Sequence, residues 1–184
     1  SEGIAMKKKE VFSAMQLGFN SVPSHCDLLV LGEMGISNTS SATAISCALF
    51  NEPVKLMTGI GTGLNKNQLS KKIEIIKSAL KLHGKNFKDP ISILSCYGGR
   101  EIAAIAGSVI SARLKSIPVL LDGFICTAAA SSLILFDKMI LDHCRISHLS
   151  SEQGHAIVLR NLKMEPILDL KLRLGEGSGA AIAT

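Results

Sequence analysis

One pattern constrains this chain more than any other. A short apolar run without charges, a turn bearing glycine or serine, and a longer segment with helical spacing follow one another repeatedly. Strands free of internal charge suit burial on both faces of a parallel sheet, and the longer segments supply its crossovers. The spacing predicts a helix over residues 2–20, a strand over 27–34 (DLLVLGEM), and a small-residue helix over 39–50 capped among Ser37, Asn38 and Thr39. A short strand or loop follows at 54–60, then an amphipathic helix at 66–83 with Leu69, Ile73, Ile76 and Leu80 on one face. Beyond it come a strand at 90–96, a helix at 100–114, a strand at 117–121, a helix at 124–138, a strand at 140–147 and a helix at 151–164. The closing LDLKLRLGEGSGA is a glycine-rich loop leading into a further helix.

The predicted fold class is therefore α/β, a mostly parallel sheet with helices on both faces in a three-layer, Rossmann-like arrangement. At 184 residues the chain falls within the usual size of a domain, and residues 1–184 are assigned to one. With 47% hydrophobic residues but 4% aromatics and no Trp, the core must come from Leu, Ile, Val, Ala and Met, which suits α/β better than a sandwich.

The net charge of +5 raises the question of nucleic acid. Apart from Lys7-Lys8-Lys9 and Lys71-Lys72 the basic residues are dispersed and no aromatics interleave with them, so the surplus reads as solvated surface or an anion site. Cys26, Cys47, Cys96, Cys126 and Cys144 form no CxxC pair, which predicts reduced, mostly buried thiols in a cytoplasmic protein. His148 and His155 stand seven apart, too far for a helical zinc pair, and neither metal nor cofactor is expected. Residues 117–136 are apolar, but Pro118, Asp122 and Gly123 interrupt them, so no membrane span is predicted. The opening SEGIAMKKKEVF has no apolar run behind its charges and reads as neither signal nor transit peptide.

Parallel sheets bind ligands beyond the carboxyl ends of their strands, which directs attention to residues 32–39, 59–64, 97–101, 122–123 and 148–152. In LGEMGISNTSSATA, Glu33 precedes a glycine turn and a hydroxyl-rich helix start, either an anion-binding turn or a plain cap. GIGTGL places Gly59, Gly61 and Gly63 at alternate positions but lacks the P-loop lysine and the GxGxxG spacing, which disfavours ATP and NAD. Lys72 is either a phosphate counter-charge or a solvated lysine. Ser147, His148, Ser150 and Ser151 before Glu152 offer a helix cap or a second anion-binding turn. Asp122 ends an apolar strand, where an acid is costly unless it is paired, functional or capping. Glu176 between Gly175 and Gly177 is a surface turn or an acid held close to a ligand. No serine elbow and no sequence-paired cysteine and histidine support a covalent mechanism.

LGEMGISNTSSATA, GIGTGL, the GGREIAAIAG run, PVLLDGF, ISHLSSEQGH and MEPILDLKLRLGEGSGAA follow one another in the order found in one enzyme family. From about Ile4 to its last residue the chain closely resembles nicotinate-nucleotide–dimethylbenzimidazole phosphoribosyltransferases, which make the lower-ligand nucleotide of cobalamin. The resemblance implies transfer of a 5-phosphoribosyl group from nicotinate mononucleotide to 5,6-dimethylbenzimidazole, giving α-ribazole 5′-phosphate and nicotinate. It implies Glu176 as general base, with burial against the base raising its pKa, and Glu33 as a second functional acid near ribose and base. Gly61 and its neighbours, Lys72 and Ser150 match the phosphate-binding set, Asn38 and Thr39 the nucleotide-binding turn, and Leu174 and Gly175 the base-binding stretch. The implied partners are these two small molecules and a second copy in a homodimer, with no metal. Family members also carry an N-terminal segment that helps form the benzimidazole pocket and helical sequence after GSGAA, both of which this chain is expected to lack. The alternative expectation is a non-catalytic nucleotide- or phosphate-binding module that needs a partner chain for activity.

Overall fold

The structure is a computed structural model and describes residues 3–60, 63–172 and 174–184. Four short parallel strands form its sheet: β1 (Leu29–Leu31), β2 (Val119–Leu121), β3 (Cys144–His148) and β4 (Pro166–Leu168), side by side in sequence order. Leu29 lies beside Val119, Val119 beside Cys144, and Ile146 beside Pro166. Around them are α1 (Lys8–Ser21), α2 (Asn38–Phe50), α3 (Val54–Met57), α4 (Lys66–His83), α5 (Pro90–Tyr97), α6 (Arg100–Leu114), α7 (Gly123–Ser131), α8 (Gln153–Leu162) and α9 (Ser178–Ala183). A 3-10 turn, Ser132–Leu135, extends α7. The expected parallel α/β sheet is present.

Strands added in order on one side, joined by the right-handed crossovers that parallel strands adopt, send their crossovers to one face. The pleat agrees with this. Leu121 and Ile146 are fully buried, whereas the alternating set has exposed Val30, Arg145 and Ile167 around a buried Leu120. α9 packs against β1, β3 and β4.

Three local expectations are corrected. Residues 90–96, expected as a strand, form helix α5: Asp89 accepts the Ser92 amide N–H at 2.8 Å, and Pro90 takes the first helical position, where its missing N–H costs nothing. Six of its eight residues are buried, which erased the amphipathic period. Residues 54–57, expected within a short strand or loop, close a helical turn. β4 falls between the predicted helix at 151–164 and the closing loop, where no strand was expected; three residues opening on Pro166 were too short to stand out.

The helix pair α1 and α6 packs backbone to backbone. A Cβ on Gly18 would overlap the Ala104 carbonyl, and one on Gly107 the Met15 carbonyl, so neither position has room for a side chain. The Ser108 hydroxyl donates across this seam to the Gly18 carbonyl at 2.9 Å. Cys47, Cys126 and Cys144 are buried and all five thiols are free; burial pushes Cys47 and Cys144 up to about 12, leaving them protonated and inert. Among the described residues no helix is long and apolar enough to cross a membrane, and no cluster of three metal-ligating side chains occurs.

Candidate active site

Loops beyond the carboxyl ends of β1, β2 and β3 enclose a cleft of about 430 Å³. Glu33, Asn38, Thr39, Ser150, Leu174 and Gly175 line it, so six of the expected site residues come together from loops far apart in sequence. Glu176 lines an adjoining, more open cavity of about 520 Å³ with Gly32, Met34 and Glu33, and Glu33 therefore borders both. Lys72 lines a third hollow that shares Asn38 and Thr39 with the cleft. Gly61 lies outside the described residues. Residues 97–101, expected to follow a strand, join α5 to α6, although the Glu101 charge still acts on Glu33.

The turn after β1 is held by side chains. Ser37 stands at the start of α2 with a left-handed φ of 73° and makes no side-chain cap, so the hydroxyl-rich start of this helix is not a conventional cap. Asn38 Nδ2 instead donates to Glu33 Oε2, and Gly35 leaves no space for a Cβ beside that pair. Burial raises the Glu33 pKa; the Asn38 hydrogen bond opposes this, and the charges of Glu101 and Asp122 add to it.

Lys72 is buried, not solvated. Its Nζ donates to Thr39 Oγ1 at 2.9 Å and to the Gly59 carbonyl at 3.2 Å. Burial lowers its pKa while the Glu152 charge opposes the shift. Because the Thr39 hydroxyl accepts from Lys72, it keeps its own proton available to donate.

The GEGSG turn is three left-handed residues in a row: Gly175 at φ 78°, Glu176 at 59° and Gly177 at 78°. The flanking glycines adopt this freely, and Glu176 is the strained member. The Glu176 amide donates to the Glu33 carbonyl at 3.0 Å, tying the two acid-bearing turns together. Asp122 fixes the other side. It makes no side-chain cap on α7; its carboxylate accepts the Gly177 amide at 3.1 Å and the Ala180 amide at 2.9 Å. His148 Nδ1 lies 3.6 Å from Asp122 Oδ1, and Gly179 packs so closely on that ring that a Cβ would overlap Nδ1. Glu176 itself is exposed. Glu33 beside it is half-buried.

The loop after β3 is equally bound up. Ser150 Oγ accepts the Glu152 amide at 3.2 Å, and the Ser150 amide donates to His155 Nδ1 at 3.0 Å. Glu152 stands at the start of α8 with no side-chain cap, so none of the preceding serines caps that helix. Sequence reasoning passed over Phe124, which lines the cleft, and His155, which is fully buried behind it. Neither carries a local signal, since both owe their place to the packing of α7 on α8.

The chemistry within reach is that of two carboxylates, Glu33 bordering both cavities and Glu176 lining the more open one. Asn38, Thr39 and Ser150 line the inner cavity. Such an arrangement can position a polar ligand and exchange a proton with it.

Relatives share both sequence and fold. The chain is 48% identical over 183 residues to the nicotinate-nucleotide–dimethylbenzimidazole phosphoribosyltransferase of Ruegeria sp. (strain TM1040), covering 100% of this chain and 54% of that protein. Its counterpart from Brucella canis (strain ATCC 23365 / NCTC 10854 / RM-666) is 42% identical over the same length and coverage. The crystal structure of CobT from Thermus thermophilus superposes with a TM-score of 0.90 at 33% identity, covering 99% of this chain and 56% of that one. The chain thus spans about half the length of the curated relatives it matches. The family model DBI_PRT, described as phosphoribosyltransferase, matches residues 1–184, and the chain belongs to that family.

Proposed function

We propose that this chain carries the nucleotide side of an active site that transfers the 5-phosphoribosyl group of nicotinate mononucleotide to 5,6-dimethylbenzimidazole. The products are α-ribazole 5′-phosphate and nicotinate. One benzimidazole nitrogen attacks the anomeric carbon of the ribose, the bond to nicotinate breaks, and Glu176 takes the proton from the other nitrogen. Attack opposite the departing nicotinate turns a β-nucleotide into an α-product. Glu33, bordering both cavities, lies where a negative charge favours an oxocarbenium-like transition state. Asn38, Thr39, Lys72 and Ser150 take the phosphoribosyl end, with Lys72 acting through Thr39, while Leu174 and Gly175 take the base.

The observation that carries this reading is the 3.0 Å backbone bond from Glu176 to Glu33, which ties together the two acid-bearing turns that line one cavity. The purified chain, mixed with both substrates and followed by chromatography, is expected to release nicotinate and form ribazole phosphate. Glu176→Gln is expected to abolish turnover while mononucleotide binding persists. Full activity in that variant would remove Glu176 as the base.

A second reading has its own support. Glu176 is exposed, and Met34, Ile36 and Leu174 stand 75%, 86% and 72% exposed around the cavities, an apolar rim suited to cover by more polypeptide. Under it the chain binds the mononucleotide but needs a partner segment or a second copy in a homodimer for turnover. Saturable mononucleotide binding without nicotinate release would select it. Any stoichiometric ribazole phosphate from the isolated chain would reject it.

A further inference from the structure

Behind the Ser150 loop sits a histidine for which the proposed chemistry has no use. His155, on the first turn of α8, is fully buried, with its ring 6.1 Å from that of Phe124. Both ring nitrogens are engaged. A backbone N–H can only donate, so Nδ1, 3.0 Å from the Ser150 amide, must present its lone pair. Nε2 lies 3.0 Å from Thr127 Oγ1, and the Thr127 hydroxyl donates to the Gly123 carbonyl at 2.7 Å. That hydroxyl has its proton committed, so Nε2–H donates to it. The chain of bonds from Ser150 N–H through the imidazole and Thr127 to Gly123 is complete only for neutral His155 with its proton on Nε2.

This relay spans the cleft wall. It links the loop after β3 to the turn after β2, where Gly123 has a left-handed φ of 67° and its vacant side-chain position lies 3.7 Å from Ser150 Cβ. With its amide taken by His155 and its Oγ accepting from Glu152, the one donor of Ser150 left uncommitted among the described residues is its hydroxyl proton.

We propose that His155 is a positioning residue for phosphate recognition: it withdraws the Ser150 amide from the cleft so that the Ser150 hydroxyl is the donor offered to the phosphate. This rests on the reading that Ser150 faces the phosphate of a mononucleotide. Asn at position 155 can keep an acceptor near the place of Nδ1 but falls short of Thr127. Gln reaches toward Thr127 and loses the Ser150 contact. A purely structural role makes the two variants alike; the positioning role separates them.

The experiment has two arms. In the unsubstituted chain, nitrogen-15 NMR is expected to show Nε2-protonated His155 and a scalar coupling between the Ser150 amide nitrogen and Nδ1. A protonated Nδ1, or no coupling with the resonances assigned, overturns the proposal without any ligand. Calorimetry then compares nicotinate mononucleotide with nicotinate riboside, which lacks the phosphate. The preference for the mononucleotide is expected to fall about tenfold in His155→Gln, the loss of roughly one hydrogen bond, and to be largely retained in His155→Asn. A folded His155→Gln chain that keeps the preference overturns the positioning role and leaves the proposed function standing. An unsubstituted chain that shows the coupling yet binds both ligands equally overturns the phosphate reading itself, and this inference with it.

Discussion

Glu33 carries its charge against its surroundings: burial, Glu101 and Asp122 all disfavour the ionised form, and only Asn38 supports it. A carboxyl whose pKa is raised on folding stabilises the fold below its ordinary value, and that contribution disappears as pH rises through the raised value. Glu33→Gln keeps an acceptor for Asn38 and removes the charge, so its Tm should exceed that of the unsubstituted chain at pH 8 but not at pH 4. Calorimetry at the two pH values checks this, and an equal shift at both would refute it. Asp122 is a buried carboxylate that accepts two backbone amides. Asp122→Ala leaves both donors unpaired and should cost about 1–3 kcal/mol in urea unfolding. Hydrogen exchange at Gly177 and Ala180 should quicken more than elsewhere. At this scale the sequence showed which acids stand on loops and little of what holds them. Glu33 and Asn38 pair within one turn, whereas the partners of Asp122 lie in the closing segment, beyond the reach of local pattern.

Helices illustrate the same division. The spacing of Leu69, Ile73, Ile76 and Leu80 revealed α4 because one of its faces is wet, and the structure returns residues 66–83 unchanged as Lys66–His83. In α5 burial nearly all round removed that period, although Asp89 and Pro90 carried the start signal. The α1–α6 seam makes a clear test. Alanine ordinarily favours a helix over glycine by about 1 kcal/mol, yet Gly107→Ala must push against the Met15 carbonyl and should destabilise by about 1–3 kcal/mol. A rise in Tm would show that the helices separate easily. In α8, burial lowers His155 to about 3, with the His148 charge adding to the shift. The unfolded chain then binds the extra proton at pH values below about 6.5 while the fold refuses it until near 3. Stability therefore declines as pH falls through that window. The decline should be shallower in His155→Asn, as measured by urea unfolding at pH 7 and pH 4.5.

Across the whole molecule, the alternation of strands and helices foretold a parallel sheet, but the order of its strands was not legible. Order depends on which neighbours bury the most surface together, and no local signal records it. That order has a kinetic consequence. The paired residues of β2 and β3, Val119 and Cys144, lie 25 positions apart, and those of β3 and β4, Ile146 and Pro166, lie 20 apart. Leu29 of β1 must meet Val119 across 90 positions. Closing the longer loop costs roughly 1 kcal/mol more, so contacts within residues 119–168 gain a head start while β1 joins late. Pulse-labelled exchange during refolding should protect the amides of β3 before those of β1, and the reverse order would refute this. Glu33 and Asn38 ride on the late strand, whereas Asp122 and Ser150 belong to the early block. A partly assembled chain thus holds only one wall of the cleft, and the nucleotide capture proposed for it must wait, during synthesis, for the final pairing step.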